Sequence, residues 1–368
     1  MRAAGILSAV TDLLALTAEL VDHTSVSFEE GPFVDWLEAD LRGRAHLTVD
    51  RVGDNLVART NLGRDQRLLL VGHTDTVPVV EADDLVNGTN AIARIEGDTL
   101  WGVGSTDMKG GLACFLEIAR TVTEPTVDLT FVFYAREEVA QPHNGLIELY
   151  AERPDLMEGD CAILGEPTDG EIEAGCQGTM RFEVTFAGAR AHTARPWMGR
   201  NAIHRMAGAL TAIADYEARR PVIDGCEFIE SLQAVHIDGG VAGNVVPDKA
   251  VLRIHHRYAP DRSLDEAEAW VRSLLADHIE ADDTVEVIDA TNACPPSLGH
   301  PLLQRLRDDN DLTVKAKLGW TDVARFAEHG MPATNFGSGD ATIAHTKHEK
   351  LERASIDRTF AALLALVT

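Results

Sequence analysis

Apolar positions recur at helical spacing from Ser8 to Val21 and from Phe33 to Leu41, which predicts two amphipathic helices. Short apolar runs at Leu47–Val52, Leu56–Thr60 and Leu68–Val71 predict strands. Helical spacing returns between Asp107 and Val122, with Gly110-Gly111 in the first turns. Leu129–Ala135, rich in aromatic and β-branched residues, predicts a buried strand, Leu146–Ala151 a short helix, and Cys161–Leu164 a further strand. Strands alternating with helices make an α/β fold with a mainly parallel sheet covered on both faces. Ligands of such folds sit beyond the carboxyl ends of the strands.

The pattern changes near Gly178. Arg181–Phe186 predicts a strand, Asn201–Arg219 a helix, Phe228–Ile237 and Val245–Tyr258 paired strands, Leu264–Ile279 a helix and Thr284–Ile288 a last strand. That order, β-α-β-β-α-β, is the ferredoxin-like arrangement, an α+β unit able to stand alone. Pro295-Pro296 marks a boundary and helical patterns resume at Pro301. The remaining C-terminal stretch is short for a domain. Residues 1–178 and 290–368 are therefore expected to form one domain, with 179–289 inserted into it.

A chain of 368 residues suits about two domains. No run of 18 apolar residues occurs, so no membrane span is expected. Met1 to Asp12 lacks a basic region followed by an apolar core, so a secretory leader is not expected and the cytoplasm is the expected location. The net charge of −26 argues against nucleic acid and anionic membranes as partners. Lysines number six against 27 arginines; adaptation to a salty cytoplasm and plain acidity both account for this. The five cysteines are scattered and form no CxxC pair, which suits small buried hydrophobes in a reducing compartment. A zinc site would have to use histidine and carboxylate.

Five motifs offer such groups. Val71-Gly72-His73-Thr74-Asp75 ends an apolar run with an imidazole and, two residues on, an acid able to orient it. Gly104-Ser105-Thr106-Asp107-Met108-Lys109-Gly110-Gly111 matches neither GxGxxG nor GxxxxGK[ST]; its Asp107 reads as a helix cap or as a carboxylate between two metals. Phe131–Ala135 runs into Arg136-Glu137-Glu138, where adjacent acids point apart, so that one can bind metal while the other moves protons; a polar loop start is the plainer reading. Ala162–Gly165 releases Glu166, and Ala344-His345-Thr346-Lys347-His348-Glu349 is a histidine-rich turn. Each motif alone has a structural explanation. Together, His73, Asp107, Glu138, Glu166 and His345 suit two zinc ions sharing Asp107, with cobalt or manganese as substitutes.

In this order the motifs resemble those of the two-zinc aminoacylase and carboxypeptidase metallopeptidase family, which hydrolyses N-acyl amides, and the likeness spans essentially the whole chain. It implies a zinc exopeptidase-like catalytic domain with an inserted lid that also forms a homodimer. One metal would be held by His73, Asp107 and Glu166, the other by Asp107, Glu138 and His345. Asp75 matches the acid behind the first histidine, Glu137 the general acid/base, and the Asp107–Met108 peptide the family's cis bond. Gly188–Pro196 resembles the segment whose histidine, here His192, reaches into the partner subunit's active site. Gly239–Pro247 resembles the substrate-contacting turn and brings in Asn244, and Arg257 matches an arginine that grips a substrate carboxylate. Leu318–Phe326, with Thr321 and Arg325, is similar to the loop that closes on the acyl carboxylate in members acting on succinyl amides; Trp320 departs from the small residues of many members. The resemblance thus implies N-succinyl-diaminopimelate as the small-molecule substrate, in lysine and cell-wall precursor synthesis. N-acetylornithine, another N-acyl amino acid or a dipeptide is the alternative.

Overall fold

The computed structural model describes residues 11–368. They divide into two compact units: one built from the described residues up to Ala174 with Ser297–Lys315 and Arg325–Thr368, the other from Gly175–Pro296 with Ala316–Ala324.

The first unit is organised by an eight-stranded sheet in the order Thr48–Val52, Asn55–Arg59, Asp128–Tyr134, Arg67–His73, Cys161–Leu164, Ala333–Asn335, Ile172–Ala174 and Val314–Ala316. Arg67–His73 runs parallel to Asp128–Tyr134 on one side and to Cys161–Leu164 on the other, and Ala333–Asn335 extends the parallel set. The flanking strands are antiparallel, so the sheet is mixed with a parallel centre. Leu68–Val71, Leu129, Phe131, Val132 and Phe133 are all buried, which explains why these segments read as unbroken apolar runs. Helices Leu13–Asp22, Gly110–Thr121 and Arg353–Val367 pack on one another. Register matters most for function. His73 pairs with Tyr134 and Val71 with Leu164, so the carboxyl ends of three neighbouring strands finish level with one another.

Most predicted elements of this unit appear within a few residues of their expected limits. The first helix is observed from Leu13, and Asp12 accepts the N–H groups of Leu14 and Ala15; residues 8–10 of the predicted span lie outside the described residues. The helix expected from Asp107 begins at Gly110. Asp107 and Met108 have φ of −118° and −131°, and the peptide between them is cis. A three-stranded sheet of Lys350–Glu352, Thr99–Trp101 and Arg94–Glu96 was not anticipated.

The second unit carries the predicted β-α-β-β-α-β order. Its antiparallel sheet runs Ser231–Gly239, Lys249–Tyr258, Gly178–Ala187, Thr284–Thr291. Helices Ala202–Ala214 and Leu264–Leu275 contribute Met206, Ala209, Val271 and Leu275 to a core with Phe182, Val184, Phe186, Leu252 and Ile254. The first of these helices stops at Ala214 instead of Arg219, because Tyr216 and Arg219 turn aside to hydrogen-bond Glu230 at 3.0 and 2.9 Å. A small hairpin, Val222–Ile223 with Cys226–Glu227, intervenes before the second strand.

Candidate active site

The level strand ends deliver the site. His73 is the last residue of its strand, Glu166 lies two residues past Leu164, and Glu137 and Glu138 follow the corner after Tyr134. The Gly102–Gly111 loop brings Asp107 and the turn before Lys350–Glu352 brings His345. Gly111 is what lets the loop come so close: a β-carbon there would sit 2.3 Å from the Gly165 carbonyl oxygen, beside Glu166.

Two groups of three result. Ligand atoms of His73, Asp107 and Glu166 all lie within 4.8 Å of one another, as do those of Asp107, Glu138 and His345. Asp107 belongs to both, since its two oxygens face different imidazoles. Oδ1 is 3.2 Å from His73 Nε2 and Oδ2 is 3.4 Å from His345 Nε2. His345 Nε2 also lies 2.8 Å from Glu138 Oε1. His73, Glu137 and Glu138 form a third such group.

The electrostatics follow from this crowding. Asp107 and Glu138 push the His345 pKa up to about 10. Burial opposes the charge on His73, but Asp107 and Asp75 outweigh it and raise that pKa too. Burial likewise disfavours the Asp107 carboxylate, and the two imidazoles reverse the balance and hold it below its usual range. Clustered, largely buried carboxylates demand positive charge. His73 and His345 lie against these carboxylates, and the same donor atoms would hold divalent cations. A donor set of two imidazole nitrogens and carboxylate oxygens, with no thiolate, fits zinc, cobalt or manganese.

Asp75 does more than orient His73. His73 Nδ1 donates to the Asp75 backbone carbonyl at 2.9 Å, while the carboxylate stands at 3.6 Å. The carboxylate oxygens instead accept the N–H of Glu137 (3.0 Å), the N–H of Glu138 (3.1 Å) and the Ser27 hydroxyl (2.7 Å). One buried residue, through its carbonyl and its carboxylate, thus braces His73 and the acid corner together.

Sequence reasoning assigned no role to Glu349. It is buried, and its Oε1 accepts the N–H of Thr106 at 3.0 Å and of Asp107 at 3.1 Å, so the shared carboxylate is held through its own backbone. The available signal was its spacing, four residues after His345 on one turn. Lys109 was also passed over; it is buried with Nζ donating to the His23 carbonyl at 2.7 Å and lying 4.9 Å from the Phe33 ring centroid.

The remaining expected residues divide between the units. Arg325 is in the first and donates to the Gln141 side chain, on the loop after Glu138. His192, Asn244, Arg257 and Thr321 are in the second. There His192 and Asn244 are neighbours, since Thr193 N–H donates to the Asn244 carbonyl at 3.0 Å and His192 bridges to Val245; both are exposed. Arg257 is partly buried on Lys249–Tyr258, its Nη1 has no hydrogen-bond partner among the described residues, and burial together with Arg181 lowers its pKa. Thr321 is buried and accepts the Cys176 thiol at 3.6 Å through its carbonyl. His256 packs against Trp270 and donates through Nδ1 to the Ser231 carbonyl, an ordinary core role.

Residues 69–368 match the model of peptidase family M20/M25/M40. A Mycobacterium tuberculosis protein provisionally named a succinyl-diaminopimelate desuccinylase is 45% identical over 346 residues, covering 94% of this chain and 95% of the relative. The succinyl-diaminopimelate desuccinylase of Corynebacterium glutamicum is 41% identical over 347 residues, covering 92% and 91%. Among solved structures, the Bacillus cereus aminopeptidase PepT superposes with a TM-score of 0.76 at 19% identity, covering 97% of this chain and 98% of that one. A dinuclear metal-binding peptidase of Bacillus subtilis superposes with a TM-score of 0.65 at 14% identity, covering 96% of each chain.

Proposed function

Since the chain belongs to peptidase family M20/M25/M40, we propose that it hydrolyses the amide bond of N-succinyl-L,L-2,6-diaminopimelate with two bound zinc ions, releasing succinate and L,L-diaminopimelate. The observation that carries the chemistry is Asp107, shared between two three-residue ligand groups beside Glu137. The succinyl substrate is supported by the relatives of 41–45% identity that carry that name.

His73, Asp107 and Glu166 would hold one ion and Asp107, Glu138 and His345 the other. When bound, the ions lower the pKa of water toward about 7 and polarise the amide carbonyl. Glu137 takes a proton from the attacking water and returns it to the departing amine nitrogen, so that one water is consumed per bond cleaved. His192 of the partner subunit stabilises the developing oxyanion. Asn244 and Thr321 orient the substrate, and Arg257 and Arg325 pair with its carboxylates, a task for which the planar guanidinium is suited. These arginines and the cations overcome the repulsion expected between an anionic substrate and a protein of charge −26.

The reading includes a homodimer built through residues 179–289, acting as lid and dimerisation domain. It is supported by the edge strand Ser231–Gly239, which leaves seven successive residues exposed, among them Val235 at 56% and Ile237 at 50%. An open edge of that kind invites a second strand. The cytoplasm is the proposed location, supported by five buried cysteines that form no disulfide. No helix among the described residues is long and apolar enough to cross a membrane.

The test is succinate release from N-succinyl-L,L-diaminopimelate by metal-loaded protein, beside acetate release from N-acetylornithine, with Glu137→Ala as control. Rapid succinate release abolished by the substitution is expected. Preference for N-acetylornithine would overturn the substrate and leave the two-metal chemistry standing.

A further inference from the structure

We propose that Glu30 is a positioning residue for Glu137, fixing from behind the corner that presents the general acid/base. The proposal rests on the reading of Glu137 given above.

Three successive backbone N–H groups at this corner are each taken by a carboxylate. Asp75 receives those of Glu137 and Glu138, and Glu30 Oε1 receives that of Arg136 at 3.1 Å. Arg136 has φ of +63°, a left-handed conformation that is strained for a non-glycine residue and persists only where its surroundings impose it. Its side chain is tied down as well, to Glu148 at 2.6 Å and the His143 carbonyl at 2.8 Å. Glu30 holds Arg136 through its main chain, where those partners hold its side chain.

Glu30 is itself well anchored. It directly precedes the helix Gly31–Arg42, and its carbonyl accepts the Val34 N–H at 3.0 Å. The chain leading into it lies along the site: Ser27 donates to Asp75 through its hydroxyl, and its N–H bonds the Thr76 carbonyl. The Glu30 side chain is fully buried, and its Oε2 has no hydrogen-bond partner among the described residues. A buried carboxylate with one idle oxygen is a costly way to fill space. Beside the Phe28 and Glu30 amides that also act on this carboxyl, it supplies the acceptor for the N–H of Arg136, the residue before Glu137.

The experiment uses the metal-loaded full chain as wild type, Glu30→Ala and Glu30→Gln. Misplacement of a proton-transfer group by about 1 Å costs roughly 10²-fold. Glu30→Ala is therefore expected to lower kcat by between about 10- and 100-fold, with KM and metal content close to wild type. Glu30→Gln, which keeps an acceptor oxygen, restores kcat to near wild type. Unchanged kcat in Glu30→Ala overturns the proposal, as does a Gln variant damaged equally. Should Glu30→Ala fail to fold, Glu30→Asp, whose carboxylate is withdrawn by one methylene, decides: lowered kcat at full metal content is expected, and wild-type kcat refutes it. If the wild type itself releases no succinate, the substrate reading falls and hydrogen exchange takes over. Faster exchange at the amides of residues 136–138 in Glu30→Ala than in Glu30→Gln supports the brace, and equal exchange removes it.

Discussion

Glu349 offers a substitution pair whose outcomes separate hydrogen bonding from charge. Its Oε1 accepts two N–H groups, those of Thr106 and Asp107. A glutamine can place its carbonyl oxygen where Oε1 stands and keep both bonds. Alanine leaves two N–H groups unsatisfied, at about 1–3 kcal/mol each, so the two variants should differ by about 2–6 kcal/mol at any pH. Charge acts separately. Burial pushes the Glu349 carboxyl up to about 7 from its ordinary 4.5. The folded protein then binds this proton more tightly than the unfolded chain. The group's contribution is fully present below 4.5 and is lost as pH rises through 7. With 1.36 kcal/mol per unit, the difference of 7 and 4.5 amounts to about 3 kcal/mol. Urea unfolding of chelator-stripped protein at pH 5 and pH 8 should therefore show Gln overtaking wild type at pH 8 and Ala below Gln at both. Competition with a chelator should show metal affinity falling about 10–100-fold in Ala only, as for other groups that orient metal ligands. Equal stability and metal affinity for Gln and Ala would refute the assignment of Glu349 to the Thr106 and Asp107 amides.

Other perturbations probe the rest of the site and the surface. Glu137→Gln should lower kcat by about 10²–10⁴-fold with two metals still bound by elemental analysis; activity above that range would take the proton-transfer role from Glu137. His345→Ala should reduce the calorimetric stoichiometry from two metals to one, leaving the ion held by His73, Asp107 and Glu166. Burial pulls the Lys109 pKa down to about 7 from 10.5, so the unfolded chain holds that proton to higher pH and stability should rise between these values; Lys109→Met should flatten that slope in the chelated protein. Finally, a net charge of −26 implies self-repulsion that salt screens, so raising KCl to about 1 M should raise Tm, and an unchanged Tm would show the acidic surface to be inconsequential.

How much of this was legible in the chain follows from length and range. The parallel centre of the sheet was readable because Leu68–Val71, Leu129–Ala135 and Cys161–Leu164 are apolar on both faces. The sheet of Arg94–Glu96, Thr99–Trp101 and Lys350–Glu352 was not, since three-residue strands are too short to display an alternation. The helix expected from Asp107 starts three residues later because the N–H groups of Thr106 and Asp107 are drawn to Glu349, 242 residues from Asp107. Glu30 and Arg136 are 106 residues apart, and no periodicity joins them. The residues of the two clustered groups were accessible because each follows an apolar run or sits in a glycine- or histidine-rich turn.

What no motif could show is which acids commit their oxygens to backbone amides, and the structure separates these from the acids that face imidazoles. Asp75, Glu30 and Glu349 each commit at least one oxygen to main-chain N–H groups and so hold the frame. Asp107 and Glu138 direct theirs at imidazole nitrogens, where protons and divalent cations compete. The two kinds of acid depend on each other: backbone amides fixed by the first set the distances at which the second can share a cation. A substitution in the first set should therefore move metal affinity or kcat without removing any group that touches metal or substrate, whereas one in the second should change how many ions are bound.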